Sequence, residues 1–240
     1  MRIAGSGSLP GGDYNEDIAI SGSGKITGNA SCTGFSIAGS GKVQGDLVCR
    51  GKFAIAGSGK VEGNLTAETA AVSGSGAIGG ASNVSGDFRV SGACRTGAVK
   101  CGKFIISGAV NTDGDVSAEE ATIRGSIDCS GLINAEIVDA EISGDSFADS
   151  IGGGTITIRD RKGAQGFFSR LLSHRARNRF TVANSIEGDV ITLENVTADT
   201  VIGRDVTIGP GCKVRHVVYT NHIEISAEAD VELYEESSAC

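Results

Sequence analysis

Ile20-Ser-Gly22-Ser-Gly-Lys-Ile26-Thr-Gly28-Asn returns as Ile37-Ala-Gly39-Ser-Gly-Lys-Val43-Gln-Gly45-Asp. It returns again as Ile55-Ala-Gly57-Ser-Gly-Lys-Val61-Glu-Gly63-Asn and as Val72-Ser-Gly74-Ser-Gly-Ala-Ile78-Gly-Gly80. The marker glycine recurs at Gly22, Gly39, Gly57, Gly74, Gly92, Gly108, Gly125 and Gly144, in steps of 16 to 19 residues. Two residues before each marker stands a β-branched residue: Ile20, Ile37, Ile55, Val72, Val90, Ile106, Ile123 or Ile142. Helical repeats run to about 33 residues or more and tolerate glycine poorly, at about 1 kcal/mol each. Leucine-rich repeats are longer and need Leu and Asn columns, which are absent here. A period near 17 divides into three short strands and three bends. That predicts an all-β fold, a three-sided parallel β-helix in which equivalent residues of successive coils stack at about 4.8 Å.

Working outward, the eight β-branched residues become one buried ladder, each rung contributing about 1.5–3 kcal/mol by burial. Cys32 and Cys49 fall in a second column, continued by Ala67. The Gly-Ser-Gly units are read as corners where φ turns positive. Lys25, Lys42 and Lys60 then point to solvent. Only 5% of residues are aromatic, so the interior is expected to consist of Ile, Val, Leu and Ala. Beyond residue 180 the pattern weakens but persists, at Val182, Ile186, Ile191, Val196, Val201, Val206, Ile208 and Val214. Ile202-Gly-Arg-Asp-Val-Thr-Ile208-Gly-Pro-Gly211-Cys-Lys-Val214 reads as a hexapeptide-type coil. The expected layout is a Gly-rich segment (1–17), a first β-helix section (18–150), a basic insert (151–180), a second section (181–235) and a tail (236–240). About seven coils before residue 150 and about three after 180 give a rod of about 50 Å.

The insert stands apart by charge. Residues 159–179 hold seven Lys/Arg against one acid, net +6, inside a chain of net charge −8. Gly152-Gly-Gly reads as a linker, and 164–176 as a short helix with Phe167, Phe168, Leu171 and Leu172 on one face. Arg170, Arg175, Arg177 and Arg179 accompany that stripe. It suits docking on the solenoid as a cap, contact with acidic lipid headgroups, or a partner's groove. The C-terminal stretch from Glu224 holds six acids and no base, a charged edge that would block growth at that end.

Composition narrows the function. Glycine at 37 of 240 residues with only two prolines excludes collagen and Pro-rich disorder. No apolar run approaches the ~18 residues of a membrane span, and the start lacks a signal-peptide core, so a cytoplasmic location is expected. Seven scattered cysteines without CxxC read as buried reduced thiols rather than metal ligands. An acidic body does not suit general nucleic-acid binding. Lys25, Lys42 and Lys60 follow glycine-rich loops, but each precedes Ile or Val instead of the Ser/Thr a P-loop requires. His216 or His222 could serve as general base of a hexapeptide acyltransferase, the rival reading, with His174 inside the insert. Asp87, Asp113, Asp115, Asp128, Asp139 and Asp145 are too dispersed for a polysaccharide lyase or hydrolase, and Asp113 and Asp115 read as turn residues. The expectation is no catalytic residue, no metal and no cofactor.

The SGSGKI and AGSGKV units and the later IGRDVTIGPGCKV resemble the bactofilins, bacterial polymer-forming cytoskeletal proteins, over about 20–150 and 181–235. The resemblance implies a right-handed β-helix that assembles with copies of itself into filaments without nucleotide. It also implies scaffold roles in cell shape, envelope growth or flagellar assembly. Independently, a solenoid ends in two faces of unpaired backbone groups that must be capped or paired. The expected partner is therefore the chain itself, with a membrane surface or another protein at the basic insert. A monomeric binding platform is the further alternative.

Overall fold

The computed structural model describes residues 1–160 and 179–237. Every described strand pairs in parallel with its equivalent one coil away, so the sheet climbs as a single parallel β-solenoid. The first face can be followed rung by rung. Ile3 pairs with Ile20, Ile20 with Ile37, Ile37 with Ile55, Ile55 with Val72 and Val72 with Val90. Ile106, Ile123, Ala140, Ile158, Leu193, Ile208 and Ile225 follow in the same column. That is thirteen coils among the described residues, against the ten expected, or about 60 Å at the spacing of parallel strands.

Two corrections follow from this register. Residues 1–17 are not a loose Gly-rich segment but the first coil: Arg2–Ile3 and Ser6–Asp13 pair with Ile18–Ile20 and Ser23–Cys32. Gly152-Gly-Gly is not a linker, because it lies inside the strand Ser146–Asp160, with Gly152 opposite Asn134 and Glu187. That strand pairs directly with Phe180–Leu193, so the two sections are one continuous stack. Phe180 stands directly opposite Ser146, so the coil that begins there is the register neighbour of the one that begins at Ser146. The helix expected over 164–176 lies outside the described residues.

Ile142 is also displaced from its expected column. Ala140 stands opposite Ile123, and Ile142 stands opposite Asp160. The register step is 17 residues from Ile123 to Ala140 but 19 from Asp128 to Phe147, so this corner carries two extra residues. Ile142 fills the enlarged corner and is still buried.

The interior is not purely aliphatic. Phe35, Phe53, Phe88, Phe104 and Phe180 are buried. Four of them share the inner column of the first face, where Ile18, Phe35, Phe53, Ala70, Phe88, Phe104 and Ala121 follow one another. Phe35 and Phe53 stack with centroids 5.8 Å apart and planes within 8°. Phe88 and Phe104 meet edge to face at 5.8 Å. Both arrangements are favoured geometries for neighbouring rings. On the second face Leu9, Ile26, Val43, Val61 and Ile78 stack; on the third, Ala30, Leu47, Leu65, Ser82, Val99 and Val116.

The corner glycines work by proximity rather than by backbone conformation. Positive φ among the described residues occurs at Gly12, Gly28, Gly211 and Asn195, and at none of the eight markers. Instead, a Cβ on Gly39 would lie 2.2 Å from the Gly22 carbonyl oxygen, and one on Gly74 2.0 Å from that of Gly57. Coils can approach this closely at the corner only if no side chain intervenes. A second corner is held by a relay of side-chain carbonyls. Asn29 Oδ1 accepts the Asp46 N–H at 2.9 Å, Asp46 Oδ1 accepts the Asn64 N–H at 2.7 Å, and Asn64 Oδ1 accepts the Ala81 N–H at 2.8 Å. Asp115 repeats the contact with the Leu132 N–H at 2.9 Å, as its assignment to a turn anticipates.

Candidate functional site: the ends of the coil stack

In the middle of the stack each apolar rung is covered above and below. At the last coil it is covered on one side only. Tyr234 pairs with Val217, which continues the buried third-face column of Ile186 and Val201. Val217 is fully buried, whereas Tyr234 is 57% exposed. Ile223, Ile225 and Val231 are the last rungs of the other inner columns and are half-buried. Leu233 beside them is 52% exposed. At the other end Leu9 is likewise half-buried, and the strand Ser6–Asp13 pairs only with the coil that follows it. The acidic stretch from Glu224 is therefore not a tail appended to the stack. Through Glu236 it is the thirteenth coil itself, with strand Asp230–Glu236 in register.

Charge frames these ends. Glu224, Glu228, Asp230, Glu232, Glu235 and Glu236 surround the last rungs and are all exposed. Along the sides, charges of opposite sign stack between coils. Arg124 reaches Asp139 at 2.5 Å and Glu141 at 3.6 Å, and Arg159 reaches Asp139 at 2.9 Å. Lys103 meets Glu120 at 2.5 Å, and Lys42 meets Glu62 at 2.7 Å. Arg215 grips Asp199 through two hydrogen bonds of 2.5 and 2.6 Å. The Arg215 hydrogen bond holds the Asp199 carboxyl at about 2. Arg124, Lys103 and Lys42 lower Asp139, Glu120 and Glu62 in the same way.

Every one of these carboxyls is more acidic folded than unfolded. Their contribution is thus complete above the ordinary carboxylate range near 4 and is lost as pH falls through the folded values. The melting temperature of the chain is expected to be flat from about pH 7 to 5 and to fall progressively between about pH 4 and 2. Arg215→Ala should flatten the lower part of that decline, as followed by circular dichroism. A melting temperature that rises on acidification contradicts this account.

The remaining sequence expectations distribute as follows. Phe167, Phe168, Arg170, Leu171, Leu172, His174, Arg175 and Arg177 lie outside the described residues. Arg179 is exposed where the chain re-enters the stack, and its N–H donates to Asp145 Oδ1 at 3.4 Å. Lys25, Lys42 and Lys60 stack as register partners on the second face. His216 Nε2 lies 3.1 Å from Glu235 Oε1, and His222 stands opposite Asp205. Among the described residues no three His, Cys, Asp or Glu side chains gather in an arrangement that could hold a metal ion. Nor is any helix among them long and apolar enough to cross a membrane. The uncovered rungs were missed from sequence because the acids around them dominate the stretch. Their signal was the continued spacing of Val201, Val217 and Tyr234.

Residues 1–82 match the family model described as bactofilin, polymer-forming cytoskeletal. Two curated proteins of Bacillus subtilis (strain 168) are similar. The uncharacterized protein YhbF is 35% identical over 103 residues, which are 42% of this chain and 40% of that protein. The uncharacterized protein YhbE is 38% identical over 104 residues, 43% of this chain and 42% of that protein. The chain thus spans about two fifths of the length of the curated relatives it matches. No solved structure is a significant match. The resemblance carried by the GSGK units thus finds its match in residues 1–82, which are similar to the bactofilin family of polymer-forming cytoskeletal proteins.

Proposed function

We propose that this chain is a non-catalytic cytoskeletal scaffold that adds copies of itself through the ends of the coil stack, without nucleotide, in the cytoplasm. The observation that carries the reading is Tyr234, a rung of an otherwise buried column left more than half exposed. A second copy seated on the last coil covers Tyr234, Ile223, Ile225 and Val231 and completes their columns. Repeated contact through two different ends gives an open filament; contact between like ends gives alternating pairs that extend equally. The family match supports the reading at the N-terminal third. In this reading the basic segment 161–178 locates the polymer, on a membrane surface or a protein partner, and the scaffold serves cell shape, envelope growth or flagellar assembly.

The same end carries six acids, so assembly through it is opposed by like charge. Raising ionic strength shortens the range of that repulsion, to about 10 Å at 0.1 M and about 3 Å at 1 M. Negative-stain microscopy and sedimentation of the full chain are expected to show filaments whose yield rises with salt. Tyr234→Glu removes one buried rung, worth about 1.5–3 kcal/mol, and should raise the dissociation constant about tenfold or more. Uniformly monomeric rods at high concentration in both low and high salt overturn the proposal and favour a monomeric binding platform. Acetyl-coenzyme A turnover that disappears in His216→Ala would favour the acyltransferase.

A further inference from the structure

Cys32 and Cys49 are register partners on neighbouring coils, at the ends of strands Ser23–Cys32 and Leu47–Cys49. Both side chains are buried, and both thiols are free. Paired parallel strands lie about 4.8 Å apart, inside the Cα separation of about 4.4–6.8 Å that a disulfide spans. The other described cysteines have no such neighbour. Cys94 stands between Gly76 and Val110, and Cys129 between Thr112 and Ala148.

The surroundings of the two sulfurs differ. The Cys32 thiol lies beside the Cys49 sulfur in one buried column, and the Cys49 sulfur is also near the Thr33 and Lys52 carbonyls, at 3.6 and 3.0 Å. Hydrogen bonding from the Cys32 thiol outweighs burial and lowers Cys49 below the ordinary thiol range. The same hydrogen bond, reinforced by burial, pushes Cys32 up, so it keeps its proton. When protonated, Cys49 donates to the Lys52 carbonyl, 3.0 Å away. Burial alone sends Cys94 and, as the leading cause, Cys101 in the opposite direction, to about 12. A groove of about 600 Å³ on the outer surface ends at Cys49, between Val48 and Arg50, with Thr66, Glu68 and Lys100 along it. Cys101 lines the same groove, and the two thiols differ in the direction of their shift.

We propose that Cys49 and Cys32 form a thiol oxidation site that reacts with small hydroperoxides and staples the second coil to the third. The Cys49 thiolate attacks the terminal peroxide oxygen. The O–O bond breaks, a sulfenic acid forms on Cys49, and the alcohol, or water from hydrogen peroxide, leaves after taking a proton. The Cys32 thiol then attacks the Cys49 sulfur, the S–S bond forms, and the sulfenic hydroxyl leaves with the Cys32 proton as water. Two thiols lose two electrons and two protons, and one hydroperoxide is reduced. A dithiol reverses the bond by exchange. The inference is independent of filament assembly, since it needs only one chain.

The test is peptide mapping of the full chain after hydrogen peroxide, with free thiols alkylated in denaturant. The expected product is one intramolecular link between the Cys32 and Cys49 peptides, lighter by two hydrogens, with two fewer alkylated thiols and full reversal by dithiothreitol. In the unoxidised protein Cys49 should be alkylated at least tenfold faster than Cys94 or Cys101. Cys32→Ser should leave a sulfenic acid on Cys49 that dimedone traps. Cys32→Ala serves if the serine variant does not fold. Full alkylation of both Cys32 and Cys49 after peroxide, or a link joining either one to a different cysteine, overturns the proposal.

Discussion

Replacing Gly108 with alanine should destabilise the solenoid by about 3 kcal/mol or more, while the same change at Gly144 should move stability by less than about 0.5 kcal/mol. The two positions carry the same marker glycine in sequence, two periods apart. A Cβ on Gly108 would sit 1.9 Å from the Gly92 carbonyl oxygen. That oxygen accepts the Ala109 N–H at 2.9 Å, and the Gly108 oxygen in turn accepts the Ser126 N–H at 3.0 Å. Neither backbone atom can retreat without opening the ladder above and below it. Overpacking of a side chain can be relieved by a rotamer change, but overpacking against a fixed carbonyl cannot. At Gly144 the corner holds two extra residues, and a Cβ would meet only the Ser126 side chain, at 3.7 Å. Its φ lies in the ordinary negative range, so alanine there can even gain a little by restricting the unfolded chain. Guanidinium midpoints of the two variants decide the matter, provided the slopes stay equal. Equal losses at both sites would show that the marker glycines are needed for conformation and not for room.

That pair also explains how much of the fold could be read from the chain. The ladder from Ile20 to Ile123 was legible because every coil supplies the same residue type at the same phase. Gly144 misled, because a marker two residues late looks like an ordinary variation in period and carries Ile142 with it. The first coil was hidden because Ser8 and Leu9 replace the Lys and β-branched residue of the later units, although Ile3-Ala-Gly5-Ser-Gly-Ser-Leu9 is one period before Ile20-Ser-Gly22-Ser-Gly-Lys-Ile26. The relay at the second corner alternates Asn29, Asp46 and Asn64, so a search by residue identity passes over it. What unites these three is a side-chain oxygen two bonds beyond Cβ, which is a property of shape. Gly152 to Gly154 read as a linker for the opposite reason. A run of glycine suggests freedom, yet a Cβ on Gly153 would come within 2.1 Å of the Ala135 oxygen, so the run is required by contact. The candidate site was least legible of all. A rung such as Tyr234 is ordinary in sequence, and only its position on the last coil leaves it uncovered.

Phe53→Ala should cost about 3–5 kcal/mol, the largest loss from any single truncation of this core. Transfer of the ring out of water accounts for about 1.5–3 kcal/mol of that. The rest depends on whether the coil can close around the space. A β-solenoid closes poorly, because its coils are fixed at the hydrogen-bond spacing and cannot move together by a fraction of a rung. Phe53 is also placed where the void would be widest. On one side its ring stacks on Phe35, and on the other it pairs with Ala70, already an alanine. Truncation would leave two consecutive alanines beneath Phe35, and the lost ring contact would add about 0.5–1.5 kcal/mol. Phe53→Leu, which keeps most of the volume, should recover more than half of the loss. Phe147, exposed on the second face, provides the comparison, and Phe147→Ala should cost less than about 1 kcal/mol. The measurement is again the denaturant midpoint. A loss below about 1.5 kcal/mol at Phe53 would mean that the coils do relax inward, and the rigidity that also underlies the corner-glycine argument would fail with it.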